Sequence, residues 1–563
     1  MPAQNESVAT LRGAWRKTAP TWFSRSGLIA VLLVVTVLVI QVLVGAYESE
    51  RGLHSDEAAH LLNGMLLRDY LREGLGQDPV AFAREYYQRY PKIAPFMWPP
   101  LFHTTLGIAL LPGWPPAVVA LVLLALCTAW TAWRLYTIVL TFSSLPVALC
   151  TIALFLALPA VISLTSSVMI DIVIAAFALE AAYWLGRFSL TGQTRDGAIF
   201  GLMTALACMS KGNGLSAVLA PFVLIVVTGN YRLLARPGLY VAAAIVVALS
   251  GPPLYIAYRL DATLGDFGPL SWPLIRDRWV FYCTHVWRQL GTLPVLFALA
   301  GLVAALTPRF WTSPAARGLA LGLVSMVGGA FVFHLLSPHI ISHERYITLA
   351  LAPLLGLTAL GVMALTRIVA SRPVRWSLQL AIFLVMTVTH FASRPVLAAQ
   401  TPLGYRAALA FLSNANALAG QRLLVVSNEQ GEGACVVEAA VLELEPPPTM
   451  LRGSKLLASD DWMGRNFALR YKSIDEMLAD LEAMHVEYVL LDRSPEARTL
   501  GYWQQVHDLV TTRPDRVETL LERPVDPVHG PLRPLSLYRL KYQAPGPPKP
   551  IEFSGSSPLI SGH

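Results

Sequence analysis

Two adjacent carboxylates, Asp56 and Glu57, lie in the polar run LHSDEAAH, which follows the first long apolar stretch of the chain. A carboxylate can accept the proton of an attacking hydroxyl group while a new bond forms, so the pair is a candidate general base. The same residues could instead occupy the first turn of a helix that begins near Ser55, where acids complement the helix dipole. The run by itself leaves both interpretations open.

Further charged and aromatic side chains occur beside apolar stretches, where a buried charge is costly. Lysine and arginine suit a phosphate group, and arginine offers it a planar, bidentate set of donors. Each cation could also extend to lipid headgroups, and each acid could cap a helix. These candidates are Asp171, Lys211, Arg345, Tyr346 and Lys92, with His103, His343, Arg276 and Arg278 as accessory residues.

Metal binding has weaker support. His54, Asp56 and Asp171 could supply ligands to a divalent ion, but no dense cluster of histidine and acid with metal-ligand spacing occurs. We therefore predict no firm cofactor and an activity that survives chelation.

The composition indicates a membrane protein. Of 563 residues, 55% are hydrophobic and 14% are charged, whereas soluble proteins carry about 25% charged residues. The net charge of +7 comes from arginines scattered between apolar stretches, which argues against nucleic acid as a partner. The five cysteines have no paired spacing, so neither a disulfide framework nor a zinc ribbon is expected.

About 20 apolar residues are needed to cross a bilayer as a helix. Eleven segments fit approximately, at 28–46, 115–133, 144–164, 169–186, 197–211, 214–229, 238–258, 291–307, 318–336, 347–366 and 377–397. The stretch 99–112 is shorter and predicts a juxtamembrane or re-entrant helix. Arginines then fall in alternate loops, which places the N-terminus in the cytoplasm. Glu180 lies in mid-span and should be protonated or paired.

The expected fold class is an α-helical polytopic membrane protein with a small C-terminal soluble α/β domain. Strands are predicted in RLLVVS, VEYVLLDRS and LSLYRLKY, and a helix in SIDEMLADLEAMH. The predicted parts are a cytoplasmic N-terminus (1–27), a transmembrane domain (28–397) with a large outer loop (47–113), an outward-facing α/β domain (398–542) and a disordered tail (543–563).

The order of these weak motifs along the chain resembles the GT-C membrane glycosyltransferases, of the bacterial protein O-mannosyltransferase and aminoarabinose transferase type. The motifs are the early Asp-Glu pair, Pro99-Pro100-Leu101, Asp171, Lys211-Gly212 and Arg345-Tyr346. One position departs from the family pattern, since Trp98 and not a histidine or lysine precedes the prolines. We therefore expect no phosphate contact from that position.

The resemblance implies an inverting transfer of a hexose or pentose from a polyprenyl-phosphate donor to an acceptor hydroxyl at the outer face of the inner (plasma) membrane. The acceptor would be a glycan, a lipid or a protein of the cell envelope. By this resemblance Asp56 is the catalytic acid, with Glu57 as its neighbour and Asp171 as a second acid. Lys211, Arg345 and Tyr346 match donor-phosphate positions, and Lys92 matches one more loosely.

Two other functions fit part of the pattern. A transporter or flippase for a lipid-linked anion would also place cations at the outer face, but such proteins often contain inverted repeats, and none is visible here. An O-antigen ligase or polymerase also uses lipid-linked sugars, although the early Asp-Glu pair argues against it.

Overall fold

The computed structural model describes residues 19–95, 97–260, 269–337, 342–392, 400, 402–459, 467–526, 530–541 and 546–553. Apolar runs rich in leucine, valine and alanine form helices over most of the chain up to residue 392. These are α1 (Ala19–Leu43), α2 (Glu57–Asp69), α3 (Pro79–Arg89), α4 (Leu101–Ala109), α5 (Pro116–Leu140), α6 (Leu145–Leu156), α7 (Pro159–Thr165), α8 (Asp171–Thr191), α9 (Thr194–Ser210), α10 (Ser216–Thr228), α11 (Pro237–Leu260), α12 (Trp272–Leu290), α13 (Thr292–Leu306), α14 (Pro314–Leu336), α15 (Thr348–Thr366) and α16 (Arg372–Ala392).

Each of the eleven predicted spans overlaps one or more of these helices. Within the described ranges, however, only six helices are long and apolar enough to cross a membrane. Two bent pairs raise that number to eight if each pair is one span: α6 with α7, bent by 64°, and α12 with α13, bent by 112°. The six are Pro116–Leu140, Asp171–Thr191, Pro237–Ile256, Pro314–Leu336, Glu344–Thr366 and Arg372–Ala392. The protein is a multi-pass membrane protein, and the number eleven stays a prediction.

The stretch 99–112 forms the nine-residue helix α4, which is too short to cross a bilayer. It packs against α2 through small residues. A side chain added at Gly64 would collide with Leu106, and one added at Gly107 would collide with Leu67. The predicted large loop is therefore a folded layer that carries Asp56 at the start of α2.

Close helix packing fixes the core around the site. A Cβ atom at Gly186 of α8 would lie 2.5 Å from the carbonyl oxygen of Gly318 in α14, and one at Gly322 would lie 2.2 Å from that of Ala182. Small residues let two helix backbones approach where lipid gives no hydrophobic drive for association. This contact holds α8, which begins at Asp171, against α14, which leads towards Arg345.

Glu180 of α8 is paired, one of the two outcomes expected for it. Both of its carboxylate oxygens accept from the Arg134 guanidinium, and Trp184 Nε1 donates to Oε1 over 3.2 Å. The Arg134 guanidinium also lies 4.0 Å from the centre of the Tyr183 ring. These partners offset the cost of burying the charge in mid-helix.

Beyond residue 404 the chain forms a mixed sheet with helices packed on it, here called the C-terminal unit (residues 405–541). Its five-stranded sheet has the order β2-β1-β5-β9-β6, in which β2, β1 and β5 are parallel and β9 is antiparallel to β5 and β6. The predicted strands coincide with β1, β5 and β9, and the predicted helix with α20. The elements are α17 (Tyr405–Asn414), β1 (Arg422–Val426), α18 (Glu429–Val441), β2 (Thr449–Arg452), α19 (Gly453–Leu456), β3 (Ala458–Ser459), β4 (Ala468–Leu469), α20 (Ile474–Ala483), β5 (Tyr488–Asp492), α21 (Gly501–Thr512), β6 (Val517–Leu521), β7 (Val525–Asp526), β8 (Gly530–Pro531) and β9 (Leu535–Leu540).

Part of the tail that was predicted to be disordered packs on this unit. The Lys549 amide donates to the Ala483 carbonyl over 2.8 Å, and its ammonium donates to Asp480 Oδ1 over 2.6 Å. Phe553 meets the Tyr87 ring edge-on, with the ring centres 5.5 Å apart. Residues 543–545 and 554–563 of that tail, residues 1–18 of the predicted N-terminus and residues 393–397 of the last predicted span lie outside the described residues.

Candidate active site

Asp56 immediately precedes the first residue of α2, but its side chain makes no capping hydrogen bond. Only its backbone carbonyl takes part in the helix, accepting from the His60 amide over 2.9 Å. The carboxylate turns to Arg345 instead, whose Nη2 donates to Oδ2 over 2.5 Å. The Asp56 side chain therefore stands at the start of α2 without capping it by a hydrogen bond, and it is directed towards a cation 289 positions away.

Arg345 belongs to a short 3₁₀ turn, Glu344–Ile347, that opens α15. The His343 ring caps this turn by accepting from the Arg345 amide over 3.3 Å. Arg345 Nη1 lies 3.9 Å from the sulfur of Met169, and its Nε is buried without a hydrogen-bond acceptor among the described residues. The guanidinium thus keeps donor capacity beyond the bond to Asp56.

Asp171 and Lys211 form a second, fully buried ion pair. Asp171 is the first residue of α8, and Lys211 adopts an extended conformation in the break between α9 and the turn Gly212–Leu215. That break needs Gly214, because a Cβ atom there would lie 2.3 Å from the Ala207 carbonyl group. The Lys211 ammonium donates to both carboxylate oxygens of Asp171, over 3.1 and 3.2 Å.

Tyr346 connects the two pairs. The Lys211 ammonium lies 5.0 Å from the centre of its ring, and the guanidinium of the adjacent Arg345 lies 5.6 Å from the same centre. Both distances are within the range of a cation–π contact. The start of α8, the end of α9 and the start of α15 therefore meet at one end of the helix bundle.

The local field keeps Asp56 ionised. Burial opposes the charge, but Arg345, and then Lys211, His60 and Lys92, lower the pKa of the Asp56 carboxyl below its ordinary value. The arrangement can therefore offer a carboxylate beside two cations in a partly buried setting. An ionised carboxylate can accept a proton, but its pairing with Arg345 makes it a weaker base than a free carboxylate.

Glu57 is directed away from these cations. Its Oε1 accepts from the Val168 amide over 3.0 Å and its Oε2 from the Leu53 amide over 3.2 Å, and Arg51 Nη1 lies 3.5 Å from Oε1. The side chain is fully buried. In this structure Glu57 ties the chain before α2 to the segment just ahead of Asp171.

Lys92 meets the C-terminal unit. Its ammonium donates to Glu429 Oε1 over 2.9 Å. Among the described residues, no hydrogen bond or ion pair joins Lys92 to Asp56 or Asp171. It is nevertheless close enough that its charge helps lower the pKa of Asp56.

His103 pairs with His60 of α2. His60 Nδ1 and His103 Nε2 are 3.1 Å apart, and the Trp98 ring contacts His60 at a tilt of 56°, with the centres 4.3 Å apart. Burial lowers the pKa of His103 to about 4. It likewise lowers the pKa of His60, so both rings are neutral at physiological pH. Trp98 thus covers a histidine beside the site.

The two accessory arginines lie elsewhere. Arg276 is exposed and pairs with Asp277 over 2.9 Å. Arg278 is buried, and its Nη1 donates to the Ser337 carbonyl over 2.6 Å just beyond the end of α14. Neither guanidinium contacts Asp56, Asp171 or Lys211 in the described part of the structure.

Across the described residues, no group of three or more histidine, cysteine, aspartate or glutamate side chains is arranged to hold a metal ion. The site residues that sequence reasoning missed are His60, Met169 and Glu429. His60 had a weak signal, because it lies one helical turn after Asp56 and so on the same face of α2. Glu429 had none, since it is 337 positions from Lys92.

Comparison with known proteins bears on this arrangement. A family model described as dolichyl-phosphate-mannose-protein mannosyltransferase matches residues 99–256. ArnT from Cupriavidus metallidurans in the apo state aligns with a TM-score of 0.52 and 14% identity, covering 93% of this chain and all of that one. The same protein bound to undecaprenyl phosphate gives 0.51 and 15%, covering 92% and 99%.

The chain has the GT-C fold.

An oligosaccharyltransferase from Archaeoglobus fulgidus in its apo form is more distant, with a TM-score of 0.49, 11% identity and coverage of 82% of this chain and 69% of that one. No curated protein sequence matches the chain. The fold expected from the order of the motifs is confirmed. The family-model match includes Asp171 and Lys211, whereas Asp56 and Arg345 lie outside it.

Proposed function

We propose that this protein is an integral-membrane glycosyltransferase that moves a hexose or pentose from a polyprenyl-phosphate donor to an acceptor hydroxyl. The transfer takes place at the outer face of the inner membrane. The observation that carries the proposal is the Asp56–Arg345 pair beside the Asp171–Lys211 pair at one end of a GT-C bundle. Support for the donor class comes from ArnT, which has the same fold and binds undecaprenyl phosphate.

The cations are assigned to the donor phosphate. Arg345 retains unused donors, and Lys211 stands on the other side of Tyr346. Arginine and lysine at this spacing can neutralise the charge that develops on a departing phosphate. Lys92 is assigned the same task from the loop side. An arriving phosphate competes with Asp56 for Arg345, which loosens the pair and makes the carboxylate a better base.

Asp56 is assigned the general base. The acceptor oxygen forms its bond to the anomeric carbon while the bond from that carbon to the phosphate oxygen breaks. The hydroxyl proton passes to Asp56, and the electron pair of the broken bond leaves with the polyprenyl phosphate. A single displacement of this kind inverts the anomeric centre. Asp171 orients Lys211, and Glu57 holds the loop that presents Asp56.

The orientation follows the positive-inside pattern, with a cytoplasmic N-terminus and the C-terminal unit outside the inner membrane. The acceptor is then an envelope glycan, lipid or protein. The direct test is mass spectrometry of the products formed by the purified protein from a panel of undecaprenyl-phosphate sugars and envelope acceptors. Transfer with an inverted linkage supports the proposal. Translocation of the intact lipid without any transfer would reject it in favour of a transporter.

A further inference from the structure

The C-terminal unit is attached to the folded loop through α18. This helix lies across α2, where a Cβ atom at Gly433 would be 3.1 Å from the Ala58 side chain and 3.2 Å from that of Lys92. An ion pair marks each end of α18. Glu429 at its start pairs with Lys92 over 2.9 Å, and Glu443 just beyond its end pairs with Arg68 over 2.5 Å.

The two ion pairs are alike in the exposure of their glutamates, both of which belong to the C-terminal unit. The Glu429 side chain is 59% exposed and that of Glu443 is 54% exposed, whereas both cations are buried. They differ in the chemistry of the cation. A guanidinium stays charged in any protein setting, but a buried ammonium can lose its proton.

Among the described residues, charged groups from three elements act on the Lys92 ammonium. These are Glu429 from α18, Arg452 from the end of β2, and Asp56 from the start of α2. Burial lowers the pKa of the Lys92 ammonium, Glu429 opposes this, and Arg452 adds to the lowering. Lys92 in turn lowers the pKa of the Glu429 carboxyl. Glu429 is thus the direct hydrogen-bonding partner of a buried lysine beside the site.

We infer that Glu429 is a positioning residue of the donor site: its carboxylate keeps Lys92 protonated and holds the ammonium in place for the donor phosphate. The inference rests on the proposed function and goes beyond it, because it gives the C-terminal unit a share in donor affinity. A purely structural explanation exists, since an acid in the first turn of a helix complements the dipole. That explanation predicts an effect on stability and none on the pH dependence of donor binding.

The test measures the affinity of the full-length protein in lipid nanodiscs for undecaprenyl phosphate, from about pH 6 to about pH 9.5, a range that brackets the titration of a perturbed lysine. In Glu429→Gln, affinity should match the wild type at the acidic end and fall about tenfold at the alkaline end, the size of one charged hydrogen bond. Glu443→Gln is the matched control and should follow the wild-type profile. Lys92→Arg should abolish the alkaline loss, and adding Glu429→Gln to it should not restore that loss.

The possible outcomes distinguish a failure of the role inferred for Glu429 from a failure of the proposed function. Identical profiles for Glu429→Gln and Glu443→Gln would overturn the inference, even if both bind the lipid well. Tighter binding by Glu429→Gln at every pH would also overturn it, because the carboxylate would then be a competitor of the phosphate. Absence of binding by the wild-type protein throughout the range would instead reject the proposed function itself.

Discussion

Asp56 and Glu57 are neighbours in the sequence but serve different partners. Successive residues of a helix point about 100° apart, so the two side chains at the start of α2 cannot face the same groups. Asp56 meets a guanidinium at the mouth of the bundle, while Glu57 accepts two backbone amides and faces Arg51. At the residue scale, the different roles proposed for these two acids follow from their partners, since both are carboxylates.

The donor-phosphate assignment predicts the behaviour of the two cations. Lys211→Ala and Arg345→Ala should each weaken binding of undecaprenyl phosphate about 10- to 100-fold, because each removes a charged hydrogen bond. Lys211→Arg should recover only part of the loss, since a planar guanidinium cannot take the place of a compact ammonium. Equilibrium binding in detergent micelles measures the effect. Arg276→Ala, which changes an exposed arginine paired with Asp277, is the control, and unchanged binding in both site variants would refute the assignment.

At the element scale, the buried Glu50 helps to join the loop after α1 to the C-terminal unit. Glu50 accepts the amides of Gly404, Tyr405 and Arg406 at the start of α17, over 2.9 to 3.2 Å. The side chain is buried, and Arg406 also pairs with Glu438 close by. Since Asp56 is six residues further along the same loop, this contact helps to set the position of α2.

Glu50 should make the stability of the protein depend on pH. Burial, and then the nearby Glu438, raise the pKa of Glu50 to about 7. The folded state therefore binds this proton more tightly than the unfolded state. The contribution of the bound proton to folding stability is lost as the pH rises from the ordinary pKa of a glutamate through about 7. The loss should reach about 3 kcal/mol at most. Thermal unfolding at acidic and alkaline pH would measure it, with Glu50→Gln flattening the dependence and the surface variant Glu85→Gln leaving it intact. Equal pH dependence in the wild type and Glu50→Gln would contradict this.

Much of the candidate site could be predicted because its residues lie at the ends of apolar segments, where burying a charge is costly. Asp171, Lys211 and Arg345 are all of this kind. The role of Glu57 could not be predicted, since its partners depend on the path of the loop between residues 51 and 57. The contact of Lys92 with Glu429 could not be predicted either, because it comes from packing of α18 on α2, which no local pattern encodes. The order of the sheet is hidden for the same reason, whereas its strands are visible as short apolar runs.

At the scale of the whole molecule, a helical bundle, a folded loop and the C-terminal unit converge on one end of the bundle. The loop contacts the bundle through Asp56 and the C-terminal unit through Lys92 and Arg68, and Tyr87 of the loop contacts Phe553 of the tail. This geometry requires that the loop and the C-terminal unit lie on the same side of the membrane. From the arginine pattern we predict that this side is the outside.

Single cysteines in a cysteine-free background would test this orientation. Gln88 of the loop and Glu496 of the C-terminal unit are exposed, and Thr312 is exposed at the other end of the bundle, in the connection before α14. Cysteines at the first two positions should react with an impermeant thiol reagent added to intact cells, and one at Thr312 should react only after the membrane is permeabilised. Labelling at Thr312 in intact cells would reverse the assignment.

The central claim is that Asp56 accepts the proton of the acceptor, and the turnover of Asp56→Asn tests it most directly. Asparagine is nearly the same size, and α2 loses no cap because the Asp56 side chain makes no capping bond. The variant should fold, bind undecaprenyl phosphate and turn over about 10²- to 10⁴-fold more slowly than the wild type. Asp78→Asn is the matched control, because Asp78 caps α3 in the same loop through the amides of Val80 and Ala81 and should retain full turnover as asparagine. Wild-type turnover from Asp56→Asn at matched expression would contradict the account.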